Sequence, residues 1–227
     1  MSKTTLARTG LALAVFLVAI APAAAGKDVY QAMGLKTKDV LAGTIFESRV
    51  VPGKGEQVVC IATFMTGKQE KADAVNVRLA VFDRIGEGLV TVYARDYGAE
   101  RGGHVANGDL QLLDLDRDGI NEMIVSFDSF ADPLIEQRLA EVILHDGTTF
   151  VAGWAGEVEY DATKAARNVP RERRDRFVRE FDFGNTMRTR GVTLFFKKHM
   201  IAVAGQRLPE PRIIEETYPL RPSPDHW

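Results

Sequence analysis

The chain has 227 residues, with 29 Lys and Arg against 31 Asp and Glu, giving a formal net charge of −2. That near-neutral balance argues against a dedicated nucleic-acid binder, which needs a basic face. Cys60 is the single cysteine, so an intramolecular disulfide is excluded.

The chain opens like a secretory signal. Lys3 and Arg8 give a positive start, residues 11–20 are apolar, and Ala23, Ala24 and Ala25 offer a small-residue cleavage point. We expect 1–25 to be a signal peptide, the mature chain to start at Gly26, and the protein to be periplasmic or secreted, as in bacteria. The apolar run is short for a membrane span. No cysteine lies beside the cleavage point for lipid attachment, and no later run is long enough to cross a bilayer. Stable membrane insertion is therefore not expected after cleavage, and export argues further against a nucleic-acid partner.

The remaining chain suits one domain at 26–208. Residues 28–35 and 38–41 read as one or two short amphipathic helices. A turn at 52–55 leads into strands at about 57–65, 75–82 and 89–95, each rich in Val, Ile, Thr, Phe and Tyr. Cys60 lies inside the first of these and reads as a buried small hydrophobe rather than a nucleophile. Residues 97–108 form a glycine-rich loop. It lacks the Lys-Ser/Thr pair and the following helix of a phosphate-binding loop. His104 is its one side chain with ligand potential, and reads as structural or exposed.

Next comes Asp114-Leu115-Asp116-Arg117-Asp118-Gly119-Ile120-Asn121-Glu122, between two runs that read as strands. Three carboxylates at alternate positions repel one another, and a hard divalent cation with oxygen ligands removes that problem. Gly119 gives the sharp turn that gathers the side chains. The expected ligand set is Asp114, Asp116 and Asp118, with the Ile120 carbonyl and Glu122 completing the shell around Ca²⁺. An EF-hand is excluded, because position twelve of the loop is Val125 and the residues behind it alternate like a strand.

The pattern D-x-D-x-D-G-x-x-E between strands resembles the loop of FG-GAP/VCBS repeats, the blades of integrin-like β-propellers. The resemblance implies a calcium-holding hairpin. It covers one repeat only, since the chain has no second D-x-D-x-D-G.

Strands at 138–144 and 149–154 flank the Asp146-Gly147 hairpin signal, and Trp154 is expected to pack on that sheet. Arg167 to Glu180 reads as an arginine-rich surface helix entered at Pro170, docked through Phe177 and Phe181. It could alternatively be a site for anionic partners. A turn at 182–185, closing strands at 190–197 and 199–204, and a proline-rich tail at 209–227 complete the chain. The expected fold is therefore mainly β: an antiparallel meander of hairpins, propeller-blade-like or sandwich-like, with one or two peripheral helices.

Two functions fit this reading. The first is an exported, soluble calcium-binding protein, a non-enzymatic interaction module whose partner is a protein or an envelope polysaccharide. The second is an exported hydrolase of a polysaccharide or phosphoester. The sequence lacks G-x-S-x-G, H-E-x-x-H and S-x-x-K signatures. Facing carboxylates in a cleft away from the acidic loop would favour the hydrolase.

Overall fold

The computed structural model describes residues 23–66, 75–98, 105–130, 135–165 and 169–220, with side chains from Gly26 onward. Residues 1–22 of the expected signal, His104, Arg167 and residues 221–227 lie outside these. Helix α1 (Ala23–Ala32) and a 3-10 turn (Thr37–Asp39) lead into β1 (Val40–Ser48), β2 (Gln57–Met65), β3 (Val75–Ile85) and β4 (Gly88–Asp96). These strands form a four-stranded sheet in chain order. The second sheet holds β5 (Val105–Leu113), β6 (Glu122–Ser129), β7 (Glu136–His145), β8 (Phe150–Asp161), β9 (Arg176–Phe181), β10 (Thr193–Val203) and β11 (Gln206–Pro219), again in chain order. Helix α2 (Phe183–Arg188) lies between β9 and β10. Every neighbouring pair is antiparallel. The fold is the expected mainly-β meander. Among the described residues no helix is long and apolar enough to cross a membrane.

Side-chain alternation explains the layering. On β2 and β3, Val59, Ile61, Val77, Leu79 and Val81 face the second sheet, where they meet Leu110, Met123, Val125 and Phe127. The other face of β2, with Val58, Cys60 and Ala62, is covered by Val29 of α1 and by Met33 in the turn that follows it. Both faces of β2 are thus dry, and Cys60 is fully buried as expected.

The second sheet also buries both faces. Ile124, Ala140 and Val142 point away from the first sheet and pack with Trp154, Leu194 and Phe196. In hydrogen-bonded order β10 is separated from β7 by β8 and β9. Trp154 on β8 links the two sides of this cluster through its contacts with Phe181 and Phe196. Trp154 is 6 % exposed and sits against Phe181 and Phe196, so it packs on the sheet as expected. Strands β8 and β9 pair only from Glu159–Val178 to Asp161–Arg176. Beyond that they part, and the Arg179 guanidinium bridges the fork by donating to the Glu157 carbonyl.

Four local expectations are corrected. The arginine-rich stretch is not a helix: it is a 3-10 turn (Arg171–Arg173) followed by β9. Phe177 and Phe181 are four apart, a spacing that fits a helical stripe and also a strand face of period two. Arg179 shares the buried face with them, and only the strand allows that. Residues 38–41 open β1 after the 3-10 turn rather than forming a helix. Residues 182–185 enter α2, which Asp182 caps by accepting from the Asn185 N–H at 3.1 Å.

The fourth correction is at the end of the chain. The two closing strands are one strand, β10, and the proline-rich stretch is its partner β11, with Thr193 opposite Pro219. Ala204 (φ 51°) and Gly205 (φ 78°) make the tight turn between them. Pro209 and Pro211 fall where the register breaks between Met200–Arg212 and Ala202–Arg207, so their missing N–H groups cost no ladder bond.

Candidate metal centre

The acidic loop closes the β5–β6 hairpin, with Leu113 opposite Glu122. Three contacts hold it. Leu115, in the middle of the acidic run, is fully buried in the core beneath it. Asn121 donates its N–H to the Arg49 carbonyl at 2.8 Å and its side-chain amide to Ser48 Oγ at 2.7 Å, tying the loop to the end of β1. On the opposite side, the corner after α2 lies against the backbone of Leu115 and Asp116 at Gly191.

The loop's own N–H groups orient the carboxylates. Asp114 accepts from the Asp118 N–H at 3.0 Å and the Gly119 N–H at 3.0 Å, one with each oxygen. Asp116 accepts from the Asp118 N–H at 3.1 Å. Arg117 (φ 65°) and Gly119 (φ 87°) take the left-handed conformations that this tight winding needs. The result brings carboxylate oxygens of Asp114, Asp116 and Glu122 within 4.8 Å of one another. Asp118 is outside that group, and its Oδ1 accepts from the Ile120 N–H at 2.7 Å.

Glu122 is 7 % exposed and accepts from the Leu115 N–H at 2.6 Å. Among the described residues it has no ion-pair partner. Burial pushes its carboxyl up to about 8, against the pull of the Leu115 N–H, and the Asp116 and Asp114 charges add to the rise. Asp116 is raised too, first by burial and then by its acidic neighbours Asp118 and Asp114. A buried, unpaired carboxylate beside two others is costly unless a cation joins them. The donors are all hard oxygens, which suits a cation such as Ca²⁺. The triad of Asp114, Asp116 and Glu122 can thus hold a metal ion.

The far wall was not legible in the sequence. A cavity of about 180 Å³ is lined on one side by Asp116, Asp118, Ile120 and Glu122. The other walls come from Pro52, Leu144, His145, Arg190, Gly191, Val192 and Leu220. These positions are far apart in sequence and come from both sheets and the corner after α2. His145 accepts from the Gly147 N–H through Nδ1 at 3.1 Å, which fixes the neutral tautomer with its proton on Nε2. Its pKa is lowered, mainly by burial.

Cys60 shows no sign of chemistry: burial pushes its thiol up to about 12. A separate cavity of about 330 Å³ lies over Ile124, Ala140 and Val158, lined also by Asp109, Glu159 and Glu180. Comparison with protein-family models, curated proteins and solved structures found no match.

Proposed function

We propose that this is an exported calcium-binding protein, a non-enzymatic interaction module whose ion fastens the β5–β6 hairpin. The observation that carries this reading is the convergence of Asp114, Asp116 and the buried, unpaired Glu122. The resemblance of the loop to a single FG-GAP/VCBS calcium hairpin supports Ca²⁺ as the ion, with Asp118 and the Ile120 carbonyl as further ligands. The signal-like opening supports a periplasmic or secreted location, where millimolar calcium can fill a site of modest affinity. Modules of this kind bind with Kd of about 10⁻⁴ to 10⁻³ M. Thermal melts of wild type and Asp116→Ala, with Ca²⁺ and with chelator, test the reading. Calcium at a hundredfold excess over Kd should stabilise the wild type by roughly 2.7 kcal/mol and leave Asp116→Ala unmoved. Identical wild-type melts in the two conditions would reduce the loop to a polar turn.

One observation favours the second reading, an exported hydrolase of polysaccharides or phosphoesters. Asp109, Glu159 and Glu180 line a common cavity away from the acidic loop, and paired carboxylates across a cleft are what glycoside hydrolysis needs. Hydrolysis of nitrophenyl glycosides by the wild type, lost in Glu180→Gln, would establish it.

A further inference from the structure

The second sheet has an open edge in its interior. On one side β8 pairs with β7 along its whole length. On the other it pairs with β9 only over residues 159–161, so residues 150–158 have no strand partner there. The β7–β8 register skips Gly153 and Val158, and between these two irregularities residues 154–157 run in regular register. The same residues line a cavity of about 410 Å³, together with Gln137 of β7, Arg179 of β9 and Tyr218 of β11.

One contact fixes which backbone groups face that cavity. The Glu157 carbonyl accepts from Arg179, so it points into the fork. Main-chain groups of successive strand residues turn to opposite sides, so Ala155 presents its N–H and carbonyl to the fork as well. Trp154 and Gly156 turn theirs to β7. Neither Ala155 nor Gly156 carries a side chain that could screen this edge. A Cβ on Gly156 would stand 2.8 Å from Trp154 Cζ2, so the indole covers Gly156 and walls the edge with an aromatic surface.

The two outer edges of this sheet are guarded against further pairing. β11 carries Pro209, Pro211 and Pro219 among charged residues, and the pairing of β5 is interrupted at the left-handed Asn107 (φ 52°). Residues 150–158 contain no proline and no lysine. What reaches across from the far side of the fork is Arg179, whose side chain is 9 % exposed. It uses Nε on Glu216 and Nη1 on the Glu157 carbonyl, and among the described residues its Nη2 has no acceptor. A buried guanidinium N–H without an acceptor is costly, and this one belongs to the cavity wall. It calls for an oxygen.

Charge selects the kind of oxygen. Arg179 and Lys198 flank Glu216, and the Glu157 carboxylate accepts from Gln137 at 3.4 Å. Two cations and two carboxylates balance, so a neutral acceptor suits the site better than an anion. A main-chain amide supplies a neutral carbonyl for Nη2 and an N–H for the Ala155 carbonyl. We propose that the fork between β8 and β9 binds an extended peptide of a partner protein, which adds as a short strand to β8 along residues 154–157 and sets one carbonyl on Arg179 Nη2. This gives the interaction module a point of contact that owes nothing to the acidic loop or to its ion.

Amide hydrogen exchange of the full chain, resolved by residue with NMR, tests the inference. In the free protein Ala155 and Glu157 should exchange faster than Trp154 and Gly156, whose N–H groups bond to β7. The probe is the capped peptide Ac-Thr-Val-Thr-Val-NH₂, because strand addition is recognition of the main chain. It should slow Ala155 and Glu157 by roughly tenfold, the effect of one hydrogen bond, and leave Trp154 and Gly156 unchanged. The same peptide N-methylated throughout cannot donate and should have no effect. Ala155→Pro removes an N–H that faces the fork and not β7, so it should keep the fold and abolish protection at Glu157. If that variant does not fold, the N-methylated peptide still decides. No protection by the peptide would overturn the inference, and so would equal protection by its N-methylated form. Protection by N-acetylglucosamine alone would overturn it in favour of an amino-sugar pocket. Slow exchange of Ala155 and Glu157 in the free chain would also overturn it. If deleting residues 221–227 then made them fast, the occupant would be the chain's own end.

Discussion

Gly191 and Asp116 meet backbone to backbone. A Cβ at Gly191 would stand 3.0 Å from the Asp116 nitrogen and 3.0 Å from the Leu115 carbonyl carbon, and Gly191 itself is left-handed at φ 67°. The corner between α2 and β10 therefore acts as the back plate of the acidic loop. Gly191→Ala should be destabilising on two counts: a left-handed non-glycine residue costs roughly 1–2 kcal/mol, and the new methyl pushes the loop backbone away. The same displacement should weaken calcium binding. Melts in chelator and in Ca²⁺ separate the two effects, and a variant matching wild type in both would show that the two backbones do not depend on each other.

The sequence carried the strands with continuous runs of β-branched and aromatic residues and the loop with an explicit motif. Gln57–Met65 and the Asp114–Glu122 pattern were legible because every signal there is local: β-branched residues, a turn glycine, carboxylates at fixed spacing. The arginine-rich stretch was misread because Phe177 and Phe181 satisfy both periodicities. The buried Arg179 that decides between them needs Glu216, 37 residues away, to be acceptable inside. Prolines at 209 and 211 suggested a tail, yet a break in register accommodates them. Arg190, Gly191 and His145 carried no signal at all, since they come to the loop from distant parts of the chain.

Cys60 should be inert in the native state. It is fully buried under α1, and desolvation pushes the thiol up to about 12, so almost no thiolate exists at neutral pH. A thiol reagent such as DTNB should label the folded protein only as fast as it opens, and label it rapidly in denaturant. Fast stoichiometric labelling without denaturant would mean that α1 does not cover this face of β2.

Glu122 gives the metal-free protein a pH dependence of definite sign. Its carboxyl titrates at about 8 when folded and near the ordinary 4.5 when unfolded. Below 4.5 both states are protonated and this group costs nothing. As pH rises from 4.5 toward 8 the unfolded chain ionises first, so stability falls, by up to about 1.4 kcal/mol per pH unit for one proton. Glu122→Gln, measured in chelator, should remove that slope. It should also abolish stabilisation by Ca²⁺, which needs the ionised carboxylate. Parallel stability-versus-pH curves for wild type and Glu122→Gln in chelator would contradict the burial argument.

Arg179 fastens the fork between β8 and β9, and its removal should be among the most damaging single changes outside the apolar core. Its side chain is 9 % exposed. It donates through Nε to Glu216 at 2.6 Å and through Nη1 to the Glu157 carbonyl, and its guanidinium lies 5.2 Å from the centre of the Phe177 ring. Without it, Glu216 keeps, among the described residues, only Lys198 at 3.7 Å and the Tyr218 hydroxyl at 3.2 Å. Breaking a buried pair from one side costs roughly 3–5 kcal/mol, less where the partner keeps some solvent, so Arg179→Met should lose roughly 2–4 kcal/mol. Adding Glu216→Gln should return part of that loss, since the stranded charge is gone. The pH dependence follows from Glu216. Burial works against its ionisation, but the Arg179 bond and charge outweigh it and hold the carboxyl below its ordinary range. The stabilisation is therefore present above pH 4.5 and is lost as pH falls through the lowered value. Urea unfolding at pH 7 should show the full gap between wild type and Arg179→Met, and the gap should narrow as pH drops toward 3. A gap below about 0.5 kcal/mol at pH 7, the size of an ordinary surface change, would mean that the fork is held by packing of Trp154 and Tyr218 alone.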